Sequence, residues 1–207
     1  MLIILSKKIV FRQLLITIVT CFFCFGCTRV INVKIDEIGT MPIPLIEHLP
    51  LTVGVYYGND FRNYNNTETI PSEDSTTIIN TQLGKANIAL FDYIFTNLFE
   101  KVIPLQNLPG AYETYENFDI IAEPVVAHYW PWDPTNIQYD IIFYMPGDKK
   151  TSWTLFDASG GYGIIGAKAI TEHTQLAMRN IAAQFMTGFC KRPDRELMEY
   201  LHNHCKQ

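Results

Sequence analysis

Apolar and polar positions alternate or recur along this chain with periods that predict its elements. Ile31-Val33-Ile35 alternates with Asn32-Lys34-Asp36, as in an edge strand. Val53-Val55-Tyr57 alternates in the same way and is ended by Gly58-Asn59-Asp60. Residues 62–82, rich in Asn, Thr and Ser, read as a loop with room for a short strand near Thr77–Ile79. Gly84 to Val102 is the first strong helix. Ile88, Phe91, Phe95, Leu98 and Val102 recur at three and four residues, and Leu90, Ile94 and Phe99 form a second stripe, so the helix is well buried. Pro104 and Pro109 bar its continuation.

Phe118 to His128 reads as a strand that Pro124 marks as bulged or at an edge. Tyr139-Ile141-Phe143-Met145 alternates, Pro146-Gly147-Asp148 supplies a type II turn, and Trp153 to Asp157 returns as the hairpin partner. Thr171 is placed to cap a second long helix, with Met178, Ala182, Phe185 and Phe189 on its apolar face and Gly188 at its end. A short helix from Asp194 to His204 closes the chain. The order β-α-β-β-β-α predicts an α+β two-layer sandwich, a mainly antiparallel sheet with two long helices on one face.

The N-terminus has a different pattern. Lys7, Lys8 and Arg12 precede the uncharged run Leu14–Phe25, which is followed by Gly26 and Cys27. This is the layout of a secretory signal peptide. The run is shorter than the roughly 20 residues of a spanning helix. Cys24-Phe25-Gly26-Cys27 resembles the bacterial lipobox in its small residue before a cysteine, and departs from it at Cys24 and Phe25. The resemblance implies cleavage before Cys27 and acylation, palmitate included, of that residue. Thr28, where an inner-membrane lipoprotein would carry aspartate, implies the outer membrane, facing the periplasm. The alternative is an ordinary secretory signal. The expected organisation is a signal peptide over 1–26, a lipidated N-terminus and tether over 27–50, and a single globular α+β domain over 51–207.

Loss of residues 1–26 removes three basic residues and no acid. Lys+Arg falls from 16 to 13 against 21 Asp+Glu, and the net charge becomes −8. That balance argues against nucleic acid as a partner. Cys190 and Cys205 remain beyond Cys27, and a lone pair in an oxidising compartment predicts a disulfide.

Candidate chemistry is sparse. Gly161-Tyr162-Gly163-Ile164-Ile165-Gly166 satisfies GxGxxG, but the chain ends before a βαβ unit can close, so no nucleotide is expected. Ser159 lies outside a GxSxG motif, and no spacing links it to His128 or His173. His202, His204 and Cys205 lack a second ligand cluster, so no metal and no other cofactor is expected. Tyr129-Trp130-Pro131-Trp132 is an aromatic cluster of the kind that anchors interfaces. Tyr129, Trp130 and Trp132 are the expected partner-binding residues; the competing reading folds these rings back onto the domain.

The layout, with Leu90-Phe91 in a helix, a late Gly161-Tyr162-Gly163 and the run Ala177-Met178-Arg179-Asn180-Ile181-Ala182-Ala183-Gln184-Phe185, resembles uncharacterised bacterial outer-membrane lipoproteins. These are α+β envelope proteins of the LptE, LpoB and TolB N-terminal-domain kind. The resemblance implies a non-enzymatic envelope role, binding or scaffolding a protein or a glycan/lipid assembly, and transfers no catalytic residue. The alternative from another class is a periplasmic hydrolase with a site near the 157–163 loop.

Overall fold

The computed structural model describes residues 27–41, 47–72, 75–108, 117–146, 149–160 and 166–191, with 197, 199 and 201 singly. The expected signal peptide, the glycine loop over 161–165, most of the last helix and Cys205 lie outside the described residues.

The architecture is α+β, with eight strands and three helices among the described residues. In chain order these are β1 Cys27–Lys34, β2 Leu49–Tyr56, α1 Asn59–Arg62, β3 Asn65–Pro71, β4 Ser75–Gln82, α2 Gly84–Leu98, β5 Phe99–Leu105, β6 Ile120–Trp130, β7 Thr135–Met145, β8 Lys149–Ser159 and α3 Ala167–Gly188. The strands divide into two sheets, β1-β4-β3 and β5-β2-β6-β7-β8. Three of their pairings are parallel, β1 with β4 and β2 with both β5 and β6. The other three are antiparallel. The sheets are therefore mixed, where one mainly antiparallel sheet was expected.

Strand β7 shows why the larger sheet is one-sided. Ile137, Tyr139, Ile141, Phe143 and Met145 are all buried, and the residues between them are partly exposed. A period of two places every second side chain on the covered face. The covering layer is helical. α3 packs on β7 and β8 and also touches β1 of the smaller sheet, while α2 packs on β5 and α3. Ile31, Val33 and Ile79 turn inward from the smaller sheet, so both sheets share one core.

Aromatic rings fill that core. Phe95 meets Phe185 at 5.8 Å and Phe99 meets Phe189 at 5.2 Å, both edge-on, and Trp153 stacks on Phe185 at 4.9 Å. Edge-on and offset stacks are the geometries favoured by ring quadrupoles. At Gly188 an added Cβ would stand 3.3 Å from the Trp153 ring, so the bare backbone leaves the indole its place.

Four local expectations are corrected. The edge strand expected from the 31–36 alternation is present as β1, but it begins at Cys27 and belongs to the fold, so residues 27–34 are not part of the expected 27–50 tether. Residues 65–82 are a hairpin rather than a loop. The first long helix stops at Leu98, and Phe99–Leu105 continues as an edge strand that tolerates Pro104. The second begins at Ala167, so Thr171 lies inside it and donates to the Ala167 carbonyl at 2.9 Å.

Candidate functional sites

Cys27 opens β1, with its Cα in register with Ser75 of β4. No linker separates it from the sheet. Cys190, in the 3-10 turn Phe189–Lys191 after α3, is disulfide-bonded. Cys205, its expected partner, lies outside the described residues.

The aromatic segment does not act as a unit. Up to Val126 the even-numbered residues of β6 face the core, but the ladder with β7 slips between Val126 and His128. A bulge of this kind reverses the phase of every later side chain. Tyr129 is therefore turned inward, 2% exposed, and this corrects its assignment to a partner surface. Its hydroxyl lies 3.0 Å from Thr174 Oγ1. Thr174 donates its own proton to the Ile170 carbonyl at 2.7 Å, so Tyr129 is the donor of the pair. Burial pushes the Tyr129 phenol up to about 12. Trp130, on the opposite phase, is partly exposed beside Asn136 of β7. Trp132, beyond the strand, is also partly exposed but packs against the core.

A second buried tyrosine stands beside the first. Tyr139 donates to Asn87 Oδ1 at 2.6 Å, and burial raises its phenol well above the ordinary range. Tyr57 donates to Asp92 at 2.7 Å and is likewise raised, by burial first and by the neighbouring carboxylate second. Tyr139 ties β7 to α2, Tyr57 ties the chain just past β2 to α2, and Tyr129 ties β6 to α3; burial favours the neutral form of all three.

The 157–159 end of β8 holds a polar cluster. Ser159, 5% exposed, donates to Asp157 Oδ2 at 2.6 Å. Asn180 of α3 donates to the same oxygen at 3.2 Å. His173 lies close, since a Cβ on Gly160 would stand 2.9 Å from its Nδ1, and Gly160 has φ +130. That conformation and that contact both require glycine. The Ser159 proton is directed at a carboxylate, not at an imidazole, which is not the nucleophile–base order of a hydrolytic triad. His128 is exposed on β6 and in register with Gln138. The cluster joins the end of β8 to α3. Gln184 adds to it by donating to the Phe156 carbonyl on the strand's outer edge at 3.1 Å.

The carboxylates near β6 have structural partners. Asp119 Oδ2 accepts from the Thr52 amide at 2.6 Å, and Asp119 returns its own amide to the Thr52 carbonyl at 2.8 Å. Glu123 accepts from the Tyr144 hydroxyl.

Two surface features had no signal in the sequence. A cavity of about 190 Å³ opens where the end of β1 meets the start of α2, lined by Lys34, Asp36, Arg62 and Lys85 among others. Asp36 lies 2.9 Å from Lys34 and 3.9 Å from Lys85, and its hydrogen bond with Lys34 lowers its pKa. These residues come from three separate segments, so no local motif could announce them. On the outer face of the larger sheet, Val125, Asp140, Ile142 and Lys150 help line a depression of about 320 Å³. Phe156 is 51% exposed on the neighbouring edge strand.

Among the described residues no three His, Cys, Asp or Glu side chains converge to hold a metal ion, and no helix is long and apolar enough to cross a membrane. No protein-family model and no curated protein matches the chain. Among solved structures, it is similar to the crystal structure of a Xanthomonas campestris protein of the DUF330 family. The identity is 8% and the TM-score 0.44, over 77% of this chain and 92% of that one.

Proposed function

We propose that this protein is a non-enzymatic envelope lipoprotein, acylated at Cys27 and held at the periplasmic face of a bacterial outer membrane, where it binds or scaffolds another envelope component. One observation carries the reading. Gly26-Cys27 ends the apolar core of a secretory signal, and the same cysteine is the first residue of strand β1. A small residue before a cysteine at that point is the part of the lipobox that this segment matches, and multiple acyl chains on one residue give durable membrane attachment. The disulfide at Cys190 supports an oxidising compartment, with Cys205 as its partner. The kinship proposed is with envelope lipoproteins of the LptE, LpoB and TolB N-terminal-domain kind, and the two long helices α2 and α3 form the second layer on the larger sheet. Trp130 is the aromatic through which a partner is contacted, with Trp132 beside it.

Mass spectrometry of the mature N-terminal peptide tests the anchor, and an acylated Cys27 is the expected result. A free N-terminus at another residue would remove it. Cys27→Ser should move the protein from the membrane pellet to the soluble fraction. Crosslinking in intact cells, followed by capture of wild type and Trp130→Ala, tests the partner surface. Equal recovery of the same crosslinked species from both would overturn the role of Trp130.

A further inference from the structure

We infer that the end of the three-stranded sheet at which Cys27, Ser72 and Ser75 stand rests on the lipid headgroups, so that the anchor fixes the orientation of the domain as well as its location. The inference rests on acylation at Cys27. Cys27 is paired with Ser75, Thr28 with Thr76, and the ladder runs without a break to Lys34 and Gln82. Ser72 and Ser75 close the adjoining β3–β4 turn, the Ser72 amide donating to the Ser75 carbonyl at 2.8 Å. Neighbouring strands lie about 4.8 Å apart. A diacylglyceryl group on Cys27 therefore brings the Ser75 backbone to within about 10 Å of the membrane surface. A flexible tether of the length expected from sequence would have allowed excursions of roughly 25 Å and no preferred orientation.

The far end of the same sheet is Lys34, Gln82 and Asn65, which share one row of the register. At about 3.3 Å per residue that row stands about 23 Å from Cys27 along β1. It holds the cavity lined by Lys34, Arg62 and Lys85 away from the lipid.

The test uses the full-length acylated protein in phosphatidylethanolamine–phosphatidylcholine vesicles doped with a nickel-chelating lipid. Nitroxide labels are placed singly at Ser72→Cys and Asn65→Cys, both exposed positions. Relaxation by the lipid-bound nickel is expected to be several-fold stronger at 72 than at 65. A Gly/Ser insert of about ten residues after Cys27 should level the two. Equal relaxation without the insert, or stronger relaxation at 65, overturns the orientation. Mass spectrometry of the same preparation separates the two ideas. An unacylated Cys27 overturns the anchor and the orientation together, whereas an acylated Cys27 with equal relaxation overturns the orientation alone.

Discussion

A methyl group on Gly84 would stand 1.9 Å from the Arg62 carbonyl oxygen, and backbone cannot swing aside as a flexible side chain can. Gly84→Ala should therefore cost about 2 kcal/mol or more by forcing α2 away from the end of α1. A urea titration reads that loss as a lower midpoint. The aromatic pair at the end of β6 separates packing from binding. Tyr129→Ala, at a 2% exposed site, should cost about 3–5 kcal/mol. Trp130→Ala, at a partly exposed site, should leave the melting temperature within a few degrees of wild type. Nothing local in Tyr129-Trp130-Pro131-Trp132 distinguishes those neighbours, because the bulge that decides which ring turns inward is set by pairing with a strand still to come. The buried phenols also predict an alkaline limit. Tyr129 titrates near 12 in the folded state, against about 10 in the unfolded chain, and Tyr57 and Tyr139 are raised as well. Their contribution is whole below pH 10 and is lost above it, because only the unfolded chain then ionises. The loss is about 1.4 kcal/mol per pH unit for each tyrosine. Unfolding free energies should stay nearly level from pH 9 to about 10, then steepen toward that slope up to about pH 11.5, and less so in Tyr129→Phe.

At the scale of elements, legibility followed the range of the interactions. The β7–β8 hairpin was readable because its alternation and its partner lie within one stretch of chain. Helices α2 and α3 were readable from their three-and-four spacing, although their ends were not. The last stripe residues of the expected helix, Phe99 and Val102, fit a helical period and a strand equally well. What made them strand is the open edge of β2, to which β5 pairs in parallel from a distance. Parallel partners leave no turn signal between them. The β3–β4 hairpin hid for a different reason. Its Thr and Asn side chains mostly face outward, where Thr67 bonds Asn80 and Asn80 bonds Asn32, so the hydrophobic contrast that marks a strand was faint. The strand β1 reading has a sharp test. Val33 is 2% exposed, so Val33→Asp should cost about 3 kcal/mol or more, or about 6–12 °C in melting temperature for a domain of this size. A residue in a tether would show no change.

For the whole molecule, the features that carry the proposed function were only partly visible in the sequence. The basic and apolar run and Gly26-Cys27, on which the proposed anchor rests, stood in plain sequence, but the start of the sheet at Cys27 itself came from a strand pairing across 48 residues. The C-terminal crosslink is testable at this scale too. Non-reducing peptide mapping should recover Cys190 joined to Cys205, and reduction should lower stability by about 3 kcal/mol through the freed C-terminal loop. The parallel pairing of β1 also sets a schedule. As the chain emerges N-terminus first, β1 has nothing to pair with until β4 has followed, and the hairpin that presents β4 closes only once Gln82 is out. During that interval Cys27 belongs to an extended, unpaired segment, the form in which a processing enzyme can grip the backbone on both sides of a cleavage point. Had β1 paired with its immediate successor β2, the window would be shorter. If Cys27 is acylated as proposed, the late partner leaves time for lipid transfer before the strand is paired.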